Sequence, residues 1–161
     1  MSQRNLSSNQ FADVTLHRGI PGSKVTEPLG MHWSAHHGLE TYGRRQTQGA
    51  TRFLADNSNE DIHPGEKGTI IHATPSKEGI TWNKKGDKKL LRESGVFSSY
   101  TKKMKEDPYG QYDPQQEHAE AEVPVRPGTK VKVEKLTRVR ATGDRVKTRE
   151  IRYKKPRIME V

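Results

Sequence analysis

Val123 and Val125, then Val131 and Val133, alternate with their neighbours on either side of Pro127-Gly128. Alternation is the period of a half-buried strand. Pro-Gly supplies the fixed φ followed by positive φ that a tight turn requires. This stretch predicts a hairpin and, with it, a sheet protein. Glu120 and Glu122 lead into it two residues apart, so an extended backbone sends both carboxylates to one face. Two acids on one face repel unless something cationic sits opposite. The pair reads either as the solvated acids of an edge strand or as a site at the strand's mouth.

A chain of 161 residues is one domain by length: a frayed arm over 1–10, then a single unit over 11–161. Hydrophobic residues make up 29%, which predicts a thin core built from sheets. There are no cysteines, which removes thiolate nucleophiles, Cys-based zinc sites and disulfides and fits a reducing compartment. No apolar run approaches the roughly 18 residues of a membrane span. Met1 to Gln10 lacks the apolar centre of a secretory signal. The expected location is cytoplasmic, with delivery into another cell left open, and no membrane partner.

Residues 126–161 carry 13 Lys/Arg against 4 Asp/Glu, which is the whole net charge of +9. They read as a strand from Lys130 to Arg140, a turn at Thr142-Gly143-Asp144 and a returning strand to Tyr153. The basic face of this hairpin suits nucleic acid, an acidic protein or water. Tyr153 is its one aromatic up to that point, too little for a stacking platform.

Upstream, Phe11 to Ile20 predicts a strand ending at Gly19, which puts Arg18 at a strand end. There its fork can clamp a pyrophosphate or carboxylate, or simply face solvent. Met31 and Trp33 alternate with His32 and Ser34 in a short strand closed by Gly38. His32, His36 and His37 have the four-residue spacing of a metal-binding helix face, but Trp33-Ser34 before Gly38 does not read as helix, so no metal is expected. Thr41 to Ala55 is the best helix, with Ala50, Phe53 and Leu54 at i, i+3 and i+4. Gly68 to Pro75 is a short apolar strand, Lys77 to Trp82 a weaker extension, and Asn83 to Glu93 a basic segment. Thr101 to Gln116, with Tyr109, Gly110, Tyr112 and Pro114, predicts an exposed turn-rich loop.

Glu120-Ala-Glu122-Val-Pro-Val-Arg-Pro-Gly resembles the Glu-X-Glu motif and following hairpin of arginine-directed mono-ADP-ribosyltransferases. Leu16-His17-Arg18-Gly19 resembles the Leu-aromatic-Arg-Gly segment that opens that fold, with His17 where tyrosine is commoner. His32-Trp33-Ser34-Ala35-His36 is similar to its Ser-Thr-Ser strand, keeping the first serine alone. Ala50 to Ala55 looks like the Ala-X-X-Phe-Ala helix that follows. The resemblance covers about residues 11–136. It implies an α+β fold, two packed antiparallel-rich sheets around an NAD cleft with short flanking helices. There is no Gly-rich dinucleotide fingerprint, so the expected NAD site is not of the Rossmann type.

The same resemblance implies transfer of ADP-ribose from NAD to an acceptor protein, at arginine, with loss of nicotinamide. Arg18 would hold pyrophosphate; the Gly19 backbone, beside His17 and Phe53, would meet nicotinamide. Ser34 would orient Glu122, Glu122 would stabilise the ribosyl cation, and Glu120 would activate the guanidinium. Tyr109 or Tyr112 would read the acceptor. Two other classes remain open: a nucleic-acid-binding or structural protein acting through the basic hairpin, and an NAD-glycohydrolase with water as acceptor.

Overall fold

The computed structural model describes residues 10–39, 49–54, 66–80, 122–142 and 146–161. They form β1 (Leu16–Pro21), β2 (His32–Ser34), β3 (Lys67–Pro75), β4 (Glu122–Pro124), β5 (Lys130–Ala141) and β6 (Val146–Glu160). All six belong to one antiparallel sheet in the order β4-β2-β1-β3-β5-β6. Two 3-10 segments, Gly49–Phe53 and Lys77–Ile80, accompany it.

The expected α+β fold with two packed sheets and flanking helices is therefore corrected to one sheet, with no α-helix among the described residues. The physical reason lies in the apolar face. Leu16, Trp33, Ile71, Val123, Val125, Val131, Val133, Leu136 and Val161 pack into one cluster, although their strands run from one edge of the sheet to the other. The sheet satisfies that face by curling round it rather than by stacking on a second sheet. Two irregularities in the ladder permit the bend, at His72/Ala73 in β3 and at Val133/Lys135 in β5. Opposite the second, β6 arches over Tyr153 to Pro156 between its pairings at Arg152 and Arg157. Proline has no N–H to give a ladder, so an arch in an edge strand suits it.

The end of β6 closes the curl. Leu29 N–H donates to the Glu160 carbonyl at 2.9 Å, and Glu160 N–H to the Glu27 carboxylate at 3.1 Å. Gly128 and Val161 are joined by the Gly128 N–H to the Val161 carbonyl at 2.9 Å, and Val161 N–H reaches Thr129 O at 3.0 Å. Pro127-Gly128 makes its turn, with Gly128 at φ 84° and Thr129 N–H donating to Arg126 O at 3.1 Å. The strands it joins do not pair with each other, which corrects the hairpin expected there. β4 leaves to pair with β2, while β5 pairs with β3 and β6.

The helix expected from Thr41 to Ala55 is described only over its end, as five 3-10 residues. Its start has Gly49 at φ 58°, and its closing bond runs from Leu54 N–H to Thr51 O, three residues back. A β-branched residue after a positive-φ glycine gives a single tight turn little to extend. Ala50 and Leu54 still bury themselves, against Ile70, Val139 and Ala141 on the outer face of the sheet.

Candidate active site

The short strand β2 brings together two segments far apart in the chain. It pairs with β4 through His32↔Pro124, Trp33↔Val123 and Ser34↔Glu122. On its other side, Ser34 stands opposite His17 of β1. His17, Ser34 and Glu122 thus occupy one cross-strand row on three neighbouring strands. Directly opposed residues of antiparallel strands share a sheet face, with Cβ atoms about 4.5–5.5 Å apart. The register is fixed from the other face, where Trp33 and Val123 are buried in the core. Trp33 adds a hydrogen bond from Nε1 to Gly30 O at 2.8 Å, and Val125 N–H donates to Met31 O at 2.8 Å. Ser34 is itself buried.

Along the same face runs a chain of imidazoles. His17 Nδ1 lies 2.8 Å from His72 Nδ1, and His72 Nε2 lies 2.7 Å from Thr137 Oγ1. One ring must donate to the other, so two tautomeric arrangements satisfy the chain, running in opposite directions. Both keep the rings neutral. Burial drives that outcome, helped by the neighbouring His72 and His37, and holds His17 down to about 3. Burial also lowers His72 to about 4, with Lys135 next in effect. His37 stands edge-on to His17 at 5.4 Å between ring centres and accepts a hydrogen bond from Leu39 N–H at 3.0 Å. An open cleft of about 440 Å³ lies beside His17, His37 and His72. Its rim carries Lys135, Glu150 and Arg152. Glu150 takes a 2.7 Å ion pair from Lys135 and a longer one, 3.7 Å, from Arg152, and the Lys135 hydrogen bond holds its carboxyl below the ordinary range.

Arg18 lies on the opposite face from this row. It faces Ile71 across the β1–β3 ladder, and its Nη1 donates to His32 O at 2.7 Å, tying β1 to the start of β2. Its Nε is buried without a hydrogen bond, and burial lowers its pKa from the usual value. Gly30, at φ 107°, makes room for the guanidinium: a Cβ there would come within 2.5 Å of Nη2. Gly19 does allow a close approach, but the approaching group is protein. A Cβ on Gly19 would meet the Ala50 carbonyl oxygen at 1.9 Å. Phe53 sits half-buried at the end of that 3-10 segment.

Glu120, Tyr109 and Tyr112 lie outside the described residues, and Glu122 is placed by its backbone pairing. Among the described residues, no group of three His, Asp or Glu side chains is arranged to hold a metal ion. His36 stacks on His37 at 5.4 Å. His72 and Thr137 were not singled out by sequence. The available signal was a histidine inside the otherwise apolar run Gly68 to Ala73, a buried polar residue that needs a partner.

No protein-family model, no curated protein and no solved structure matches this chain.

Proposed function

We propose that the protein is a mono-ADP-ribosyltransferase that moves ADP-ribose from NAD to an arginine of an acceptor protein and releases nicotinamide. The observation that carries this reading is the cross-strand row His17–Ser34–Glu122. Three short motifs, far apart in the sequence, fall on adjacent strands and each contributes one residue to the row. A solvated Glu-X-Glu on an edge strand has no need of a buried serine opposite its second acid. The neutral, partly buried face beside it suits a ligand whose reaction creates a cation, because charge stabilisation is strongest where water is sparse.

In the proposed reaction the bond between nicotinamide nitrogen and ribose C1′ breaks, and nicotinamide leaves neutral with the electron pair. Positive charge develops on the ribose, and the Glu122 carboxylate offsets it through the 2′-hydroxyl. Ser34, directly opposite, orients that carboxylate. A guanidinium nitrogen of the acceptor gives its proton to Glu120, and the electron pair freed by that transfer forms the bond to C1′. Arg18 keeps a part, but an indirect one: it locks β1 to β2 through His32 O. Lys135 and Arg152 at the cleft rim are the cations on the same side as the row, and a pyrophosphate would compete with exposed Glu150 for them.

The test is incubation of the full chain with adenylate-labelled NAD and a protein extract. Label should become attached to protein as nicotinamide appears, and blocking the extract's arginines beforehand should abolish attachment. Nicotinamide without attachment would make water the acceptor. Neither product would remove the proposal.

A further inference from the structure

At the end of the sheet remote from this row, three strands line up their cations. Lys67 of β3 pairs with Arg140 of β5, and Arg140 with Lys147 of β6. One step along, Thr69 pairs with Arg138 and Arg138 with Arg149. Both rows lie on one face, because residues two apart on a strand share a face. Neighbours are about 4.8 Å apart across strands and about 6.8 Å apart along them. Together the five side chains line a groove of about 410 Å³, whose lining among the described residues includes no carboxylate and one apolar residue, Val139.

Like charges placed directly opposite one another destabilise a sheet. Elsewhere on the same hairpin three cations meet carboxylates: Lys130 pairs with Glu160, and Lys135 and Arg152 share Glu150. Lys67, Arg140, Lys147 and Arg149 are exposed and have no ion pair among the described residues. Arg138 is half-buried and fixed: its Nη1 donates to Ser23 O at 2.6 Å and to Thr69 Oγ1 at 2.7 Å. A solvated face would not need an arginine pinned in place at its centre.

We infer that this five-cation block is a docking surface for the phosphodiester backbone of nucleic acid. An acidic protein would call for exposed apolar or aromatic anchors at the centre of the contact, and the groove's one apolar residue among those described, Val139, is buried. Rows of point charges at regular spacing instead suit a polymer that carries one charge per unit along its length. The only ring described on β6, Tyr153, lies under Arg157 at 4.5 Å, away from the block. With no stacking platform at the block among the described residues, contacts stop at phosphates. Binding is independent of sequence and favours a duplex over a single strand, which draws much of its affinity from stacked bases. This inference does not depend on the transferase reading.

Fluorescence anisotropy of the full chain with a labelled 20-base-pair duplex, titrated at several salt concentrations, tests it. The expected log–log slope of affinity against salt is about −0.9 for each phosphate neutralised, so about −4.5 if all five cations engage. The double variant Arg140→Glu/Lys147→Glu, at exposed positions, should weaken binding at least tenfold and reduce the slope by about 2. Lys154→Glu/Lys155→Glu changes net charge equally on the same strand outside the groove and should bind nearly as wild type. Thermal melts of both variants would confirm that the sheet is intact. Equal losses in the two variants would reduce the effect to net charge and overturn the inference. So would a flat salt dependence, a preference for the single strand, or equal affinity for polyglutamate or phosphatidylserine vesicles at the same salt.

Discussion

At the scale of single residues, the histidine chain sets a pH dependence whose sign is fixed. His17 and His72 are held at about 3 and about 4 in the folded protein, below the ordinary 6.5. The unfolded chain therefore takes up protons that the native state refuses. Their contribution is complete above about pH 6.5 and is lost as pH falls toward 4 and 3, at up to about 1.4 kcal/mol per pH unit for each ring. Between pH 6.5 and 5, above most carboxylate titration, urea midpoints should fall, and His17→Asn should flatten the slope. A midpoint that holds constant over that window would contradict neutral buried rings. Gly19 gives a second expectation of steric origin. Gly19→Ala drives a Cβ against the Ala50 carbonyl, so either the 3-10 segment shifts or β1 does. The expected cost is about 1–3 kcal/mol, read from chemical melts. Gly128→Ala has open space around it and only its φ of 84° to resist it. About 1–2 kcal/mol is expected there, and an unchanged midpoint would deny the turn its positive φ.

At the scale of elements, what could be read in advance followed from alternation. The run Gly68 to Pro75 becomes β3, Lys67–Pro75; Val123, Val131 and Val133 become buried strand positions, and Val125 is buried just past β4. Pro127-Gly128 forms its turn because its φ requirements are local. The partners of β4 were not legible, because pairing across the chain depends on which apolar faces must meet. Val123 faces Trp33, and that contact carries Glu122 to Ser34. The same limit explains Arg18. It was expected at a strand end, but β1 runs on to Pro21 and holds it mid-strand, and the face it points to depends on the register with Ile71. Parity along β1 then sets Arg18 apart from His17 and Ser34. Over Gly49–Phe53 the segment is 3-10 rather than α for a local reason that the periodicity of Ala50, Phe53 and Leu54 conceals: Gly49 turns with positive φ directly before them.

At the scale of the whole molecule, one curled sheet serves two purposes. Its inner face forms the core, closed where Leu29 and Val161 meet the end of β6 and the Pro127 turn, and its outer face carries the candidate site. Leu29 is buried at that closure. Leu29→Ala should cost about 2–5 kcal/mol. If the closure holds the whole sheet, loss of near-ultraviolet and β-sheet circular dichroism should coincide in one transition. Two separate transitions would mean that the β2–β4 edge folds apart from β5–β6. The site's chemistry is tested most directly by nicotinamide release and label incorporation, measured side by side for wild type, Glu122→Gln and Glu120→Gln. If Glu122 stabilises the ribosyl cation, Glu122→Gln should lower both rates together, by about 100- to 1000-fold. Glu120→Gln should abolish transfer to arginine while slow nicotinamide release to water persists. Full release by Glu122→Gln, or full arginine transfer by Glu120→Gln, would contradict the account.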